Sequence, residues 1–273
     1  MKKKKSITLL LIFSIMIMIN VGCKKQAENK EKQANAIKIV CEDTVIPMVD
    51  DLMRDYNLNN EPVVSVEYMD REAAFNKLYN SEVDVLIGYV QPENKEVESE
   101  VLAYDGIGII VNINNAVNSV GIEQLKRIYT GNITNWKELK GASKIIKPVA
   151  YKNILNSLQQ EFDIKVMDTP VKEQMINGTQ YVSSIEEMSN FVAQNQNAIG
   201  FIPGQWYNKE NNFLKLSGIE ITASNLKNEL YALRFPIKMY YSKDQKDRLK
   251  DLFQYFKSEE GKKIVRKYCI EAF

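Results

Sequence analysis

Short apolar runs alternate along the chain with longer stretches in which apolar residues return every three or four positions. Ile37-Lys-Ile-Val-Cys41 has strand character. Asp43 and Thr44 follow, both helix N-cap types, and Pro47 suits a first helical turn. Val45, Met48, Val49, Leu52 and Met53 then share one helical face. Residues 62–68 predict a second strand, and Phe75, Leu78 and Tyr79 mark a second helix. Residues 84–90 predict a third strand, nearly all apolar, as a parallel strand covered on both faces is. This β-α-β-α-β order predicts a parallel sheet between two layers of helices.

The same reading gives later strands over 107–111, 145–151, 198–202 and 237–241. A helix carrying Ile122, Leu125, Ile128 and Tyr129 stops at Gly131, and another spans 154–162. A Ser184-x-x-Glu187 capping box opens a helix over 184–193. Ser242-x-x-Gln245 is expected to cap a helix carrying Leu249, Leu252, Phe253 and Phe256. Ser258-Glu-Glu-Gly261 opens the last helix, with acids on its positive end. No internal repeat is present.

The N-terminus departs from this pattern. Lys2 to Lys5 precede an apolar run over 7–19, interrupted only by Thr8 and Ser14. A basic segment and a short apolar run fit a secretory signal, and a membrane-spanning helix needs about 20 residues. The run ends in Ile19-Asn20-Val21-Gly22-Cys23, which resembles a bacterial lipoprotein box with Asn20 where Leu is usual. That resemblance implies a signal peptide over 1–22, lipidation at Cys23, and a protein held on the outer face of the cell membrane. Residues 24–35 contain nothing both larger and more apolar than Ala, so 23–35 is expected to be a disordered tether. Losing 1–22 removes four lysines and no acid, which takes the net charge from +1 to −3. Acyl chains, not a polybasic patch, would then hold the body at the membrane.

Composition narrows the function. The 273 residues include 36 Lys and Arg, 35 Asp and Glu, and no histidine. The balanced charge argues against nucleic-acid binding. The missing histidine removes Ser-His-Asp and Cys-His catalysis and every His-ligated metal site. Three cysteines make neither a Cys₄ zinc site nor a disulfide framework. No nucleotide-binding glycine motif occurs. These absences favour a binding protein over an enzyme, with no cofactor and no metal. A Lys, carboxylate or Cys mechanism is the remaining enzymatic route.

Four collinear blocks carry a family resemblance: Leu102-Ala-Tyr-Asp-Gly-Ile-Gly-Ile-Ile-Val-Asn112; Ile122 to Leu139, with its Thr-Gly-x-Ile-Thr-Asn-Trp run; Ala198-Ile-Gly-Phe-Ile202; and Ser258-Glu-Glu-Gly261 to Tyr268. Residues 37–273 thus resemble the phosphate-binding proteins of phosphate ABC transporters. The resemblance implies an α/β, two-lobed type II periplasmic-binding-protein-like fold, with mostly parallel sheets, a central cleft and a two-strand hinge. It implies lobe one over 36–112 plus 235–273 and lobe two over 113–234. It also implies a monomer that delivers phosphate or another small anion to an ABC permease. Ligand would sit where strands end and helices begin, a place that suits an anion.

The ligand positions are where this chain departs from the family. The turn before the first helix is Cys41-Glu42-Asp43-Thr44, and only Thr44 matches. Asp70-Arg71-Glu72 replaces a glycine-serine turn, which puts Arg71 at a hydroxyl-bearing position. Tyr89-Val90 ends the third strand in place of a Ser-Arg or Ser-Asp pair. In lobe two, Lys152 stands for an Arg and Asn156-Ser157-Leu158 for Ser-Gly-Thr, with Phe162 keeping the register. Thr44, Arg71, Tyr89, Lys152, Asn156 and Ser157 are therefore the expected ligand-binding residues. Arg71 and Lys152 would offer two cations from opposite lobes. Glu42 and Asp43 would repel an anion unless neutralised, and a Glu42–Arg71 pair would close the site in the free state. Two alternatives stay open: a different small polar ligand on the same fold, or a sensor or adhesion role without transport. Cys41 and Cys269 are readable either as a disulfide or as separate thiols.

Overall fold

The computed structural model describes residues 36–60, 63–69, 71–89, 97–152, 157–167, 175–206 and 209–272. The signal, Cys23, the tether and Asn156 lie outside the described residues. In chain order the regular elements are β1 (Ile37–Cys41), α1 (Ile46–Asn59), β2 (Val64–Tyr68), α2 (Arg71–Tyr79), β3 (Val85–Gly88), β4 (Val97–Asn112), β5 (Ser119–Val120), α3 (Ile122–Tyr129), β6 (Lys147–Tyr151), α4 (Ser157–Lys165), β7 (Gln180–Val182), α5 (Ile185–Gln194), β8 (Ala198–Pro203), β9 (Asn211–Phe213), β10 (Lys215–Leu216), α6 (Ala223–Lys227), β11 (Arg234–Ser242), α7 (Lys250–Lys257), α8 (Glu259–Val265) and β12 (Ile270–Glu271).

The alternation along β1 decides how the first sheet is covered. Ile37, Ile39 and Cys41 join the main core with Met48, Val49 and Leu52 of α1. Val40 belongs to the opposite face, where it clusters with Leu86, Tyr240 and the α2 residues Ala74 and Leu78. The sheet is thus sandwiched, as the apolar β3 requires. β1 pairs in parallel with both β2 and β3, and β6 pairs in parallel with β7 and β8. The main path of the sheet runs β2-β1-β3-β11-β4-β8-β6-β7.

β4 joins the two halves of that path. It pairs antiparallel with β11 through residues 97–106, then with β8 from Ile107 to Val111 and with β9 from Ile110 to Asn112. Only 107–111 was expected as strand. The earlier half carries Glu98, Ser99 and Glu100, and it is held by a partner strand more than a hundred residues away.

Two of the helix caps expected from the sequence form. Ser184 Oγ accepts the Glu187 N–H at 3.1 Å, while the Glu187 carboxylate accepts the Ser183 N–H at 2.7 Å. Ser258 Oγ accepts the Gly261 N–H at 3.2 Å. Two expected caps are replaced. Asp43–Val45 is a 3₁₀ turn, and α1 begins after Val45 without a side-chain cap. Ser242 precedes another 3₁₀ turn, also uncapped, and α7 starts only at Lys250. The Thr130–Trp136 run is a structural device. Gly131 takes φ 82°, Asn135 Oδ1 accepts the Lys137 N–H at 3.0 Å, and Trp136 Nε1 donates to Asn197 O at 3.1 Å. Cys41 and Cys269 are not joined in a disulfide.

Candidate functional site

The candidate site lies where β1 and β3 end and α2 and α4 begin. Glu42 and Thr44 follow β1 directly and are fully buried. The Glu42 N–H donates to Ile87 O at 3.1 Å, which ties the turn to β3. Tyr89, one residue past β3, is buried with its ring 4.2 Å from that of Phe235. Arg71 is the first residue of α2. Its Nε lies 3.6 Å from Glu42 Oε1, with the two side chains 11% and 1% exposed, so this pair is shielded from water.

The other wall comes from α4. Its first residue, Ser157, is buried, and the helix packs against the Asp43–Val45 turn. One turn on, Gln160 Oε1 accepts a hydrogen bond from Arg71 Nη1. That bond joins residues 89 positions apart and ties the β1–β3 half of the molecule to the β6–β8 half. Lys152, just past β6, is exposed, and its N–H donates to Val182 O at 2.7 Å. Thr44, Arg71 and Tyr89 therefore gather at one place, with α4 and its Ser157 against them, and Lys152 is exposed at the end of β6.

Besides Gln160, three residues join the group without having been singled out. Asp105 is buried in β4 and accepts the Gly106 N–H at 2.7 Å. Glu161 follows Gln160, and Tyr240 of β11 is buried. Gln160 was legible only as a residue one helical turn from Ser157. Asp105 carried a signal, being an acid inside an otherwise apolar run.

Electrostatics set the chemistry of this group. Burial pushes the Tyr89 phenol well up, the Asp105 carboxylate adds to the rise, and the Thr44 hydroxyl opposes it. Burial likewise raises the Tyr240 phenol, with Glu42 adding and Arg71 opposing. Burial also raises the Glu161 carboxyl, against Lys165 and Arg71. Both phenols thus stay protonated at neutral pH and can donate hydrogen bonds. No cluster of His, Cys, Asp and Glu suited to a metal ion occurs among the described residues. No helix among them is long and apolar enough to cross a membrane.

A family described as a PBP superfamily domain matches residues 26–260. The chain belongs to the PBP superfamily. Its PBP relatives include the phosphate-binding protein PstS of Borreliella burgdorferi, 23% identical over 96% of each chain. PstS of Bacillus subtilis is 24% identical over 96% of this chain and 92% of its own. An ABC-type phosphate transport receptor from Vibrio cholerae shares the fold with a TM-score of 0.76 and 26% identity, covering 86% of this chain and 99% of that one. A structure from Clostridium perfringens, described as a phosphate ABC transporter substrate-binding protein with bound phosphate, also gives 0.76 and 26%, over 87% and 100%. The PBP fold is thus the two-lobed, mixed α/β architecture expected from the sequence.

Proposed function

We propose that the chain is a lipid-anchored extracytoplasmic receptor that closes over phosphate or a related oxyanion and delivers it to an ABC permease. The observation that carries this reading is Arg71, a guanidinium held at the helix starts by Gln160 from the opposite wall. A buried guanidinium is a strong partner for an oxyanion, and the hydroxyls of Thr44, Tyr89 and Ser157 can complete its shell. Similarity to receptors that are named for phosphate supports the same ligand.

In this reading lobe one is 36–112 plus 235–273 and lobe two is 113–234. β4 and the segment leading into β11 form the two crossings, and rotation about them opens and closes the cleft. Lys152 and Ser157 join the ligand from lobe two, and the family register assigns Asn156 the same role. The receptor acts as a monomer. The buried Glu42 and Asp105 favour a second reading, a small polar ligand that carries a positive as well as a negative group.

Thermal melting across a panel of oxyanions and amino acids, with small-angle scattering, tests this function. Phosphate at about a hundredfold excess over Kd should add about 2.7 kcal/mol. For a protein of this size that raises Tm by about 5 °C or more, and the radius of gyration should shrink. A panel in which nothing moves either quantity would favour a non-transport role. Anchoring has its own test. Cys23→Ser should release the protein from the membrane fraction or leave it unprocessed. Acyl labelling unchanged in that variant would show that Cys23 carries no lipid anchor.

A further inference from the structure

The turn after β1 carries a residue that governs how the site receives an anion. Glu42 is fully buried, one residue past β1 and two before Thr44. Its carboxyl end packs directly on β3: a Cβ placed on Gly88 would come within 2.5 Å of Glu42 Cδ and Oε1. Gly88 is therefore the residue that admits this carboxylate. Oε1 lies 3.6 Å from Arg71 Nε, too far for a good hydrogen bond but close for a shielded ion pair. Arg71 Nε and Nη2 are buried and make no hydrogen bond among the described residues, while Nη1 is taken by Gln160. The guanidinium thus holds two buried donors without a hydrogen bond, one of them 3.6 Å from a carboxylate oxygen.

We propose that Glu42 is a built-in counter-anion, standing in the ligand-free protein where an oxyanion stands in the loaded one. The inference rests on the oxyanion reading above. A guanidinium pairs with carboxylate and phosphate by the same donor geometry. A cation this well shielded needs a negative partner at all times, and Glu42 supplies it when the cleft is empty. The consequence is competition. An entering anion meets an Arg71 that is already neutralised, and it must displace or repel the Glu42 carboxylate. Glu42 therefore lowers affinity and favours release, which suits a receptor that must hand its ligand on.

Phosphate titration into the full chain, wild type against Glu42→Gln, tests this first. Gln keeps the shape and removes the charge, so the variant should bind phosphate about tenfold more tightly or better. Glu42→Ala provides a second measurement that does not depend on phosphate. It opens the place of the carboxylate, and added formate should refill it, raising the Tm of Glu42→Ala and not of wild type. Phosphate binding equal or weaker in Glu42→Gln than in a binding wild type would overturn the counter-anion. Formate without effect on Glu42→Ala would overturn it too. Formate rescue, with no phosphate binding by wild type or Glu42→Gln, would uphold the counter-anion and overturn the phosphate reading alone.

Discussion

Replacing Arg71 with Met should lower the unfolding free energy by about 3–5 kcal/mol, the usual cost of stranding one member of a buried ion pair. The physical reason is Glu42. Its side chain is 1% exposed, so its carboxylate has no route to bulk water once the guanidinium 3.6 Å away is gone. Met retains most of the unbranched stem, which keeps the packing loss small beside the electrostatic one. The same change removes the Gln160 contact between the two halves of the molecule. Urea denaturation measures the cost. Adding Glu42→Gln to Arg71→Met removes both charges and should recover much of the loss, a coupling that a double-mutant cycle reads directly. A cost below about 1 kcal/mol would mean that the pair behaves as a solvent-screened surface bridge, and the shielded site described above would be wrong.

Phe162→Ala should cost about as much, roughly 3–5 kcal/mol for an aromatic removed from a packed core. Phe162 is fully buried, stacked on Phe201 at 4.1 Å and edge-on to Tyr129 at 4.8 Å. These rings bind α4 to β8 and α3, and α4 brings Ser157 and Gln160 to the cleft. The truncation should therefore weaken ligand binding as well, although Phe162 touches no ligand. Chemical denaturation and phosphate titration of the same variant check both halves. A large stability loss with unchanged phosphate affinity would show that α4 is held by contacts other than this aromatic cluster.

Elements with local signals were legible in the sequence, and those held by distant partners were not. β1 and the starts of α5 and α8 follow from apolar runs and Ser caps that act within four residues. The first half of β4 did not, because Glu98, Ser99 and Glu100 read as loop until β11 pairs with them. Thr44 looked like a cap, but it is buried in the site and α1 starts uncapped behind it. The site divides in the same way. Thr44, Arg71, Tyr89 and Ser157 were singled out through the family register, and the Glu42–Arg71 pair that forms was expected from opposite charge. Gln160, Glu161, Asp105 and Tyr240 were missed, because their place in the site depends on how the two halves of the sheet meet.

Arg71 is the group on which the proposed oxyanion site depends. Calorimetric titration of inorganic phosphate into the wild-type chain and into Arg71→Met tests it most directly, at a temperature where both remain folded. Wild type should bind saturably and one-to-one, and the variant should lose about tenfold or more in affinity. A folded wild type that binds no phosphate, or an Arg71→Met that binds it as tightly as wild type, would contradict the oxyanion site.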